Sequence, residues 1–381
     1  MTSSTEDSHL DTHEDHAWYM RLALDEAVKG RGYTSPNPLV GAVAVKDGAI
    51  LASSYHRKYG DLHAEVALLK KLTPEQAKGA TIYVNLEPCC HVGKTAPCTM
   101  ALIQAGVTKV VLGHEDPNPL VQGKGIQQLR EAGIEVVVGV LEAEARTLNR
   151  PFITYMTKHR PWILLKVAQS LDGCIALGNG ESRWITSKEA RAEVHRLRAG
   201  VDAVMVGSQT VLDDDPALTV RHVEGPNPVR IICDSRFRVT DDIQIFHQDD
   251  PENTWLITTH KADPEKRKRI ENTGARVILC DADANGRVDL HCAVRELAST
   301  GITSVLVEGG GTLHAALIRE NLFDKFIIAI APKVIGADGR SAVGALGLTE
   351  MKNVPEFDTV TMRQIGPDIW LELERHVYRN S

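Results

Sequence analysis

Apolar positions along this chain fall into short blocks that alternate between helical and strand spacing almost to its end. Leu22, Leu24, Ala27 and Val28 recur at helical spacing and predict a helix over 17–29, closed by Gly30 and Gly32. A continuous apolar run over 40–45 reads as a buried strand, and Asp47-Gly48 signals a hairpin into a second strand near 50–53. Helices are expected over 63–72, 98–105, 125–133 and 141–148, with strands over 81–86, 109–113 and 135–138. Two proline-fixed loops interrupt this series: Thr34-Ser35-Pro36-Asn37-Pro38 and Asp116-Pro117-Asn118-Pro119.

The pattern restarts after a polar connection, Thr157-Lys158-His159-Arg160-Pro161. Strands are expected over 162–167, 202–207, 229–233, 255–259, 276–280, 304–307 and 325–330, and again within 357–374. Helices are expected over 187–198, 291–299 and 313–320. Strands alternating with helices imply layered α/β architecture in both halves. The expected organisation is a disordered, acidic tail over 1–16, one domain over 17–156 and a second over 157–381.

Composition narrows the class. Of 381 residues, 43% are hydrophobic and 24% charged, as in globular proteins. A formal net charge of −7 argues against a nucleic-acid backbone as the main partner, which needs a basic face. It leaves room for a small phosphorylated ligand held by a few Lys and Arg. No apolar run approaches the ~18–20 residues of a membrane span, and the first residues lack the order of a signal peptide. Seven cysteines without a paired framework fit a reducing cytoplasm.

The chemistry concentrates in Leu62-His63-Ala64-Glu65 and Glu87-Pro88-Cys89-Cys90, closed by Pro97-Cys98. His63, Cys89 and Cys98 supply three ligands for zinc and leave a fourth position for water. Glu65, two residues after His63, reaches that water without having to ligate, and suits a general base and acid. His-x-Glu followed by Pro-Cys and a later Cys is the signature of zinc deaminases, although those commonly space the cysteines as Cys-x-x-Cys and here eight residues intervene. Cys98 is placed at a helix N-terminus, where the dipole favours a thiolate. A second feature, Glu308-Gly309-Gly310-Gly311-Thr312, joins a strand to a helix and lets backbone N–H groups approach a phosphate. It lacks the Gly-x-Gly-x-x-Gly pattern of a Rossmann site. Other readings stay open: a closed structural zinc with Cys90 or His91 as fourth ligand, a deaminase of bases in nucleic acid, and a non-enzymatic metabolite-binding module.

These motifs, in this order, carry a resemblance. The first half is similar to the cytidine-deaminase superfamily. From about Tyr33 to Leu373 the chain resembles the bifunctional riboflavin-biosynthesis deaminase/reductase family. The matching stretches are Thr34 to Gly41, His63 to Val66, Glu87 to Cys98, Asp116 to Pro119, Ser170 to Gly173, Gly180 to Thr186, Asp214 to Arg221 and Glu308 to Leu313. The chain departs from the usual pattern at Cys90, Lys94 and Ala96, where serine, arginine and proline are common. The resemblance implies a three-layer α/β/α cytidine-deaminase-like domain and a dihydrofolate-reductase-like α/β domain, with zinc and NADPH as cofactors. It implies deamination of 2,5-diamino-6-ribosylamino-4(3H)-pyrimidinone 5′-phosphate, then reduction of the ribosyl group of 5-amino-6-(5-phosphoribosylamino)uracil to ribityl.

By the same match, Asn37, His56, Lys94, Asp116 and Asn118 contact the deaminase substrate. Ala168, Trp184, Thr210, Asp214, Ser235 and the run Gly310, Gly311, Thr312, Leu313, His314, Ala315 and Ala316 contact NADPH. Ser182, Arg198, Leu218, Arg221 and Glu308 contact the reductase substrate, with Asp214 and Glu308 as candidates for the proton donor. The strand end Asp234-Ser235-Arg236-Phe237-Arg238 offers a hydroxyl and two guanidinium groups to the cofactor's 2′-phosphate; the plainer reading is a basic turn. The expected partners are small phosphorylated pyrimidines, with no nucleic acid and no membrane; a homo-oligomer is left open.

Overall fold

The computed structural model describes residues 13–90, 97–119 and 121–375. The chain forms two compact units, Met1–Thr157 and Lys158–Ser381. In chain order, the first contains α1 (His13–Val28), β1 (Gly41–Lys46), β2 (Ala49–Tyr55), α2 (Ala64–Leu69), α3 (Pro74–Ala77), β3 (Thr81–Leu86), α4 (Cys98–Ala105), β4 (Lys109–His114), α5 (Lys124–Glu131), β5 (Glu135–Val138), α6 (Glu142–Leu148) and α7 (Arg150–Lys158).

Its sheet runs β2-β1-β3-β4-β5. β1 is antiparallel to both neighbours, whereas β3, β4 and β5 are parallel. The β1–β2 hairpin turns at Asp47 and Gly48, both with positive φ, as the Asp-Gly pair predicts. The run-on apolar strands are explained by burial on both faces. Ala42, Ala44, Ile82, Val84, Val110 and Leu112 pack on Leu68, Leu102 and Leu129. The alternate residues Val43, Val45, Tyr83 and Val111 pack on Met20, Ala23 and Ala145. Helices therefore cover both faces, giving three layers.

Two expectations shift here. The first helix begins at His13, not 17, so the last four residues of the expected tail are helical; residues 1–12 lie outside the described residues. The polar His16 can be buried there because its Nδ1 meets the Tyr83 hydroxyl at 2.9 Å. The expected interdomain connection begins in helix, since α7 runs through Lys158 before the chain turns at His159 with positive φ.

The second unit continues with β6 (Trp162–Gln169), β7 (Cys174–Ala176), α8 (Lys188–Ala199), β8 (Ala203–Gly207), α9 (Ser208–Asp214), β9 (Val229–Cys233), β10 (Thr254–Thr259), α10 (Pro264–Asn272), β11 (Arg276–Cys280), α11 (Leu290–Ser299), β12 (Ser304–Val307), α12 (Gly311–Arg319), β13 (Lys325–Ile330), β14 (Arg340–Ser341), β15 (Phe357–Ile365) and β16 (Asp368–Arg375). Its main sheet has nine strands in the order β11-β10-β9-β8-β12-β6-β13-β16-β15. The strands are parallel from β11 to β13, and β16 and β15 extend the sheet antiparallel. Ile163, Leu165, Met205, Ile231 and Val305 face a core with α11 and α12; Leu164, Val204, Ile232, Leu256 and Leu306 face the opposite core. Among the described residues no helix is long and apolar enough to cross a membrane. α10 was not expected, because its sequence, PEKRKRIEN, is nearly all charged and buries only Ile270. Asp263 starts it by accepting from the N–H groups of Glu265 and Lys266.

One buried ion pair anchors this sheet. Asp324 accepts two bonds from the Arg160 guanidinium, at 2.6 and 2.7 Å, and one from the Ile163 N–H at 2.9 Å. The Asp324 side chain is fully buried. Asp324→Ala leaves Arg160 without its anion and is expected to destabilise the protein by about 3–5 kcal/mol. Calorimetry on the full chain should show the lowered transition; an unchanged melting profile would remove the pair from the fold's essential contacts.

Candidate active sites

In the first unit the sheet delivers the reactive groups at strand ends. β3 ends at Leu86, and Glu87-Pro88 lead directly to Cys89. Cys98 opens α4, and its own N–H points at Cys89 Sγ, 3.4 Å away. His63 is the N-cap residue of α2, so Glu65 falls in that helix's first turn, where it is buried. His63 Nδ1 lies 3.5 Å from Cys89 Sγ and 3.3 Å from Cys98 Sγ. All three donor atoms lie within 4.8 Å of one another, and Cys90 is not among them. His91 and Lys94 lie outside the described residues.

The electrostatics of this cluster suit a cation. A bond from Cys98, together with His63, pulls the Cys89 thiol down to about 4 against the opposing effect of burial. Cys98, facing that thiolate and buried, is pushed up. Cys89 also raises the His63 imidazole. Burial, then the Cys89 charge, raises Glu65 to about 7. One imidazole and two cysteine sulfurs, the second thiol ionising as the ion binds, would form a soft N/S donor set for three of the four positions of a tetrahedral zinc.

The neighbouring groups are held firmly. His56 Nδ1 donates to the Leu62 carbonyl at 3.0 Å, so its Nε2 accepts from Asn37 Nδ2 at 3.1 Å. Burial lowers the His56 pKa and keeps the ring neutral. Its ring stands edge-on to His63, with centroids 5.5 Å apart. The loop bearing Asn37 is pinned by Asn85, which bonds the Leu39 carbonyl and the Gly41 N–H, and by Asn149, which bonds both backbone groups of Leu39. Glu87 takes backbone N–H bonds from Asp116, Gly123, Gly125 and Ile126 at 2.9–3.2 Å. It thereby ties the Asp116–Asn118 loop to the cysteine-bearing segment. Asn85, Asn149 and Glu87 were missed as site-organising residues. For Asn85 and Glu87 the available signal was a polar residue within, or directly after, the apolar strand TIYVNL; Asn149, at the C-terminal end of α6, offered none.

In the second unit a cavity of about 1080 Å³ opens over the C-terminal ends of β6, β8, β9 and β12. Ala168, Trp184, Thr210, Asp214, Ser235, Gly310, Gly311, Thr312, Leu313, His314 and Ala316 line it, as do Ser182, Arg198, Arg221 and Glu308. Two expected contacts do not reach it. Ala315, within α12, is buried and is not among the residues that line the cavity. Leu218, with φ +52°, turns its side chain into the core around Val204 and Ile232.

The glycine run has steric causes. A Cβ on Gly309 would come within 2.8 Å of Val206 and 3.0 Å of Thr210 Oγ1. Gly310 has φ +72° and caps α12 without a side chain, leaving backbone N–H groups for an anion. Arg198 clamps Glu308 through two bonds, 2.5 and 3.0 Å. Burial would raise the Glu308 carboxyl, but Arg198 outweighs it and the pKa is lowered. Lys166, on β6, is a cavity residue that sequence reasoning passed over. Burial lowers its pKa while Glu308 opposes the shift. A lone lysine inside the apolar strand WILLKVAQ was the readable signal.

Residues 161–371 match the RibD C-terminal domain, and residues 13–114 match the cytidine and deoxycytidylate deaminase zinc-binding region. The chain is 44% identical to riboflavin biosynthesis protein RibD of Aquifex aeolicus (strain VF5), over 94% of this chain and 98% of that one. The chain belongs to the RibD family. It is 42% identical to RibD of Escherichia coli (strain K12), covering 93% of this chain and 98% of that one. RibD from Acinetobacter baumannii superposes with a TM-score of 0.86 at 36% identity, covering 96% and 99% of the two chains. The diaminohydroxyphosphoribosylaminopyrimidine deaminase/5-amino-6-(5-phosphoribosylamino)uracil reductase of Thermotoga maritima gives 0.83 at 36% identity, covering 95% and 99%. As in RibD proteins, a zinc-dependent deaminase is joined here to an NADPH-dependent reductase of riboflavin biosynthesis.

Proposed function

We propose that the first unit deaminates the diaminopyrimidine phosphate at the His63/Cys89/Cys98 centre, and that the second reduces the ribosyl group of the resulting uracil in the 1080 Å³ cavity. The carrying observation is the His63/Cys89/Cys98 set, with no fourth ligand among the described residues, beside the buried carboxyl of Glu65. Zinc, when bound, supplies Lewis-acid activation of a water. Glu65 takes a proton from that water and returns it to the departing nitrogen, so that a C–O bond forms, the C–N bond breaks and ammonia leaves. Asn37 and the neutral His56 orient the pyrimidine, with Asp116, Asn118 and Lys94 completing the substrate contacts.

In the second unit NADPH supplies a hydride to the ribosyl carbon. Arg198, Arg221 and Ser182 hold the substrate, and Trp184, Thr210, Asp214, Ser235 and the glycine run hold the cofactor. Arg198 lowers the Glu308 pKa and so favours the carboxylate, which has no proton to give. Lys166, buried beside it with a pKa that burial lowers, gives up a proton more readily than an ordinary lysine and is the better donor to the opening ring oxygen. The two compact units, divided between Thr157 and Lys158, support a deaminase in the first and a reductase in the second. All seven cysteines are free, which fits a reducing cytoplasm.

The test is turnover of the diaminopyrimidine phosphate with NADPH, following ammonia release and loss of nicotinamide absorbance. Ammonia without NADPH oxidation, even on pre-deaminated substrate, would sink the reductase reading.

Selectivity for the 2′-phosphate is assigned to Ser235, Arg236 and Lys261. Ser235 Oγ accepts from the Val288 N–H, leaving its own proton for a ligand. Arg238 is already bonded to Ser208 and Gln209 and is set aside. Arg236 and Lys261 instead line a recess of about 330 Å³ beside Ser235. Arg236→Ala with Lys261→Ala is expected to lower kcat/KM for NADPH by about 1–3 kcal/mol and to leave NADH use nearly unchanged. Equal losses for both cofactors would show that the recess does not read the phosphate.

A further inference from the structure

Arg221, proposed above as a substrate contact, sits on an exposed loop, where a long side chain loses much entropy when it is held in place. The loop itself is held residue by residue. Leu218 is anchored in the core. Arg198 Nη1 donates to the Thr219 carbonyl at 3.0 Å. The Val220 N–H donates to Asn227 Oδ1 at 2.8 Å. The Arg221 N–H donates to His195 Nδ1 at 3.2 Å. His195 lies on α8, is 5% exposed and lines the same cavity. Its ring is braced edge-on by His222, with centroids 4.6 Å apart.

We infer that His195 is a positioning residue for the reductase: its Nδ1 lone pair fixes the Arg221 backbone and so aims that guanidinium at the substrate. The inference rests on the reading of Arg221 as a substrate contact. The bond requires a ring without a proton on Nδ1. Burial, with the charges of Arg198, His222 and Arg221, holds the ring pKa down to about 4, and only Glu308 opposes them. At neutral pH the ring is therefore uncharged, its proton is on Nε2, and Nδ1 stays an acceptor.

The experiment measures reductase kinetics of the full chain on deaminated substrate for His195→Asn, His195→Gln, His195→Leu and Arg221→Ala. An asparagine amide oxygen occupies the place of Nδ1, whereas a glutamine amide reaches the place of Nε2. His195→Leu and His195→Gln should raise the substrate KM roughly tenfold, as for misplacement of a substrate clamp, with the KM for NADPH changed less than about twofold. His195→Asn should recover most of the affinity. Equal KM values for His195→Asn and His195→Gln overturn the inference, and that comparison stands even if His195→Leu does not fold. Arg221→Ala separates the two claims. If it leaves KM unchanged, the reading of Arg221 fails; if it raises KM while the His195 variants do not, the positioning role fails.

Discussion

Glu65→Gln is expected to retain zinc and to lower deaminase turnover by roughly 10²–10⁴-fold, the contribution of a positioned acid–base group. Glutamine is nearly isosteric and keeps the first turn of α2 intact, so His63 stays at its N-cap position. What it removes is a carboxylate able to take and return a proton. Burial lifts that carboxyl above the usual carboxylate range, which suits a group that takes and returns a proton. The matched measurements are metal content, ammonia release and reductase rate on pre-deaminated substrate. Metal and reductase should be unchanged. Normal ammonia release from Glu65→Gln would remove the proton-shuttle role; loss of zinc would make Glu65 a ligand.

Cys98→Ser and Cys89→Ser are each expected to abolish both zinc retention and deamination, from about one zinc per chain to none. A serine hydroxyl does not ionise in this range and cannot replace a thiolate. At Cys98 the loss also breaks the contact with His63 Nδ1 at 3.3 Å, at the one residue shared by the ligand set and the start of α4. Cys90→Ser is the control, because Cys90 lies outside the three-atom cluster. It should keep metal and activity. If Cys90→Ser loses zinc while Cys98→Ser keeps it, the ligand assignment is reversed.

The amino-acid sequence by itself determined most elements and pointed to the candidate metal ligands. Strands over 81–86, 135–138, 229–233 and 276–280 were legible because runs of β-branched residues between turns have few other uses. His63, Glu65, Cys89 and Cys98 were legible because zinc chemistry restricts residue type so severely that the pattern survives without coordinates. The Asp47-Gly48 turn was legible because few residue pairs accept two positive φ values.

Tertiary structure decided what depends on neighbours distant in the chain. His16 is buried in α1 where its Nδ1 meets the hydroxyl of Tyr83, sixty-seven positions away. α10 forms around a single buried Ile270 and an Asp263 cap, too little apolar periodicity to read. Leu218 sits in a motif of polar contacts, yet a positive φ sends its side chain into the core. Arg236 and Arg238 look equivalent in sequence; Ser208 and Gln209 occupy one guanidinium and leave the other to the recess. Glu87 and His195 owe their surroundings to backbone N–H groups brought beside them by the fold, and Lys166 to burial beside Glu308. Side-chain chemistry is local and can be read from residue type, whereas desolvation and hydrogen-bond partnership are properties of the folded surroundings.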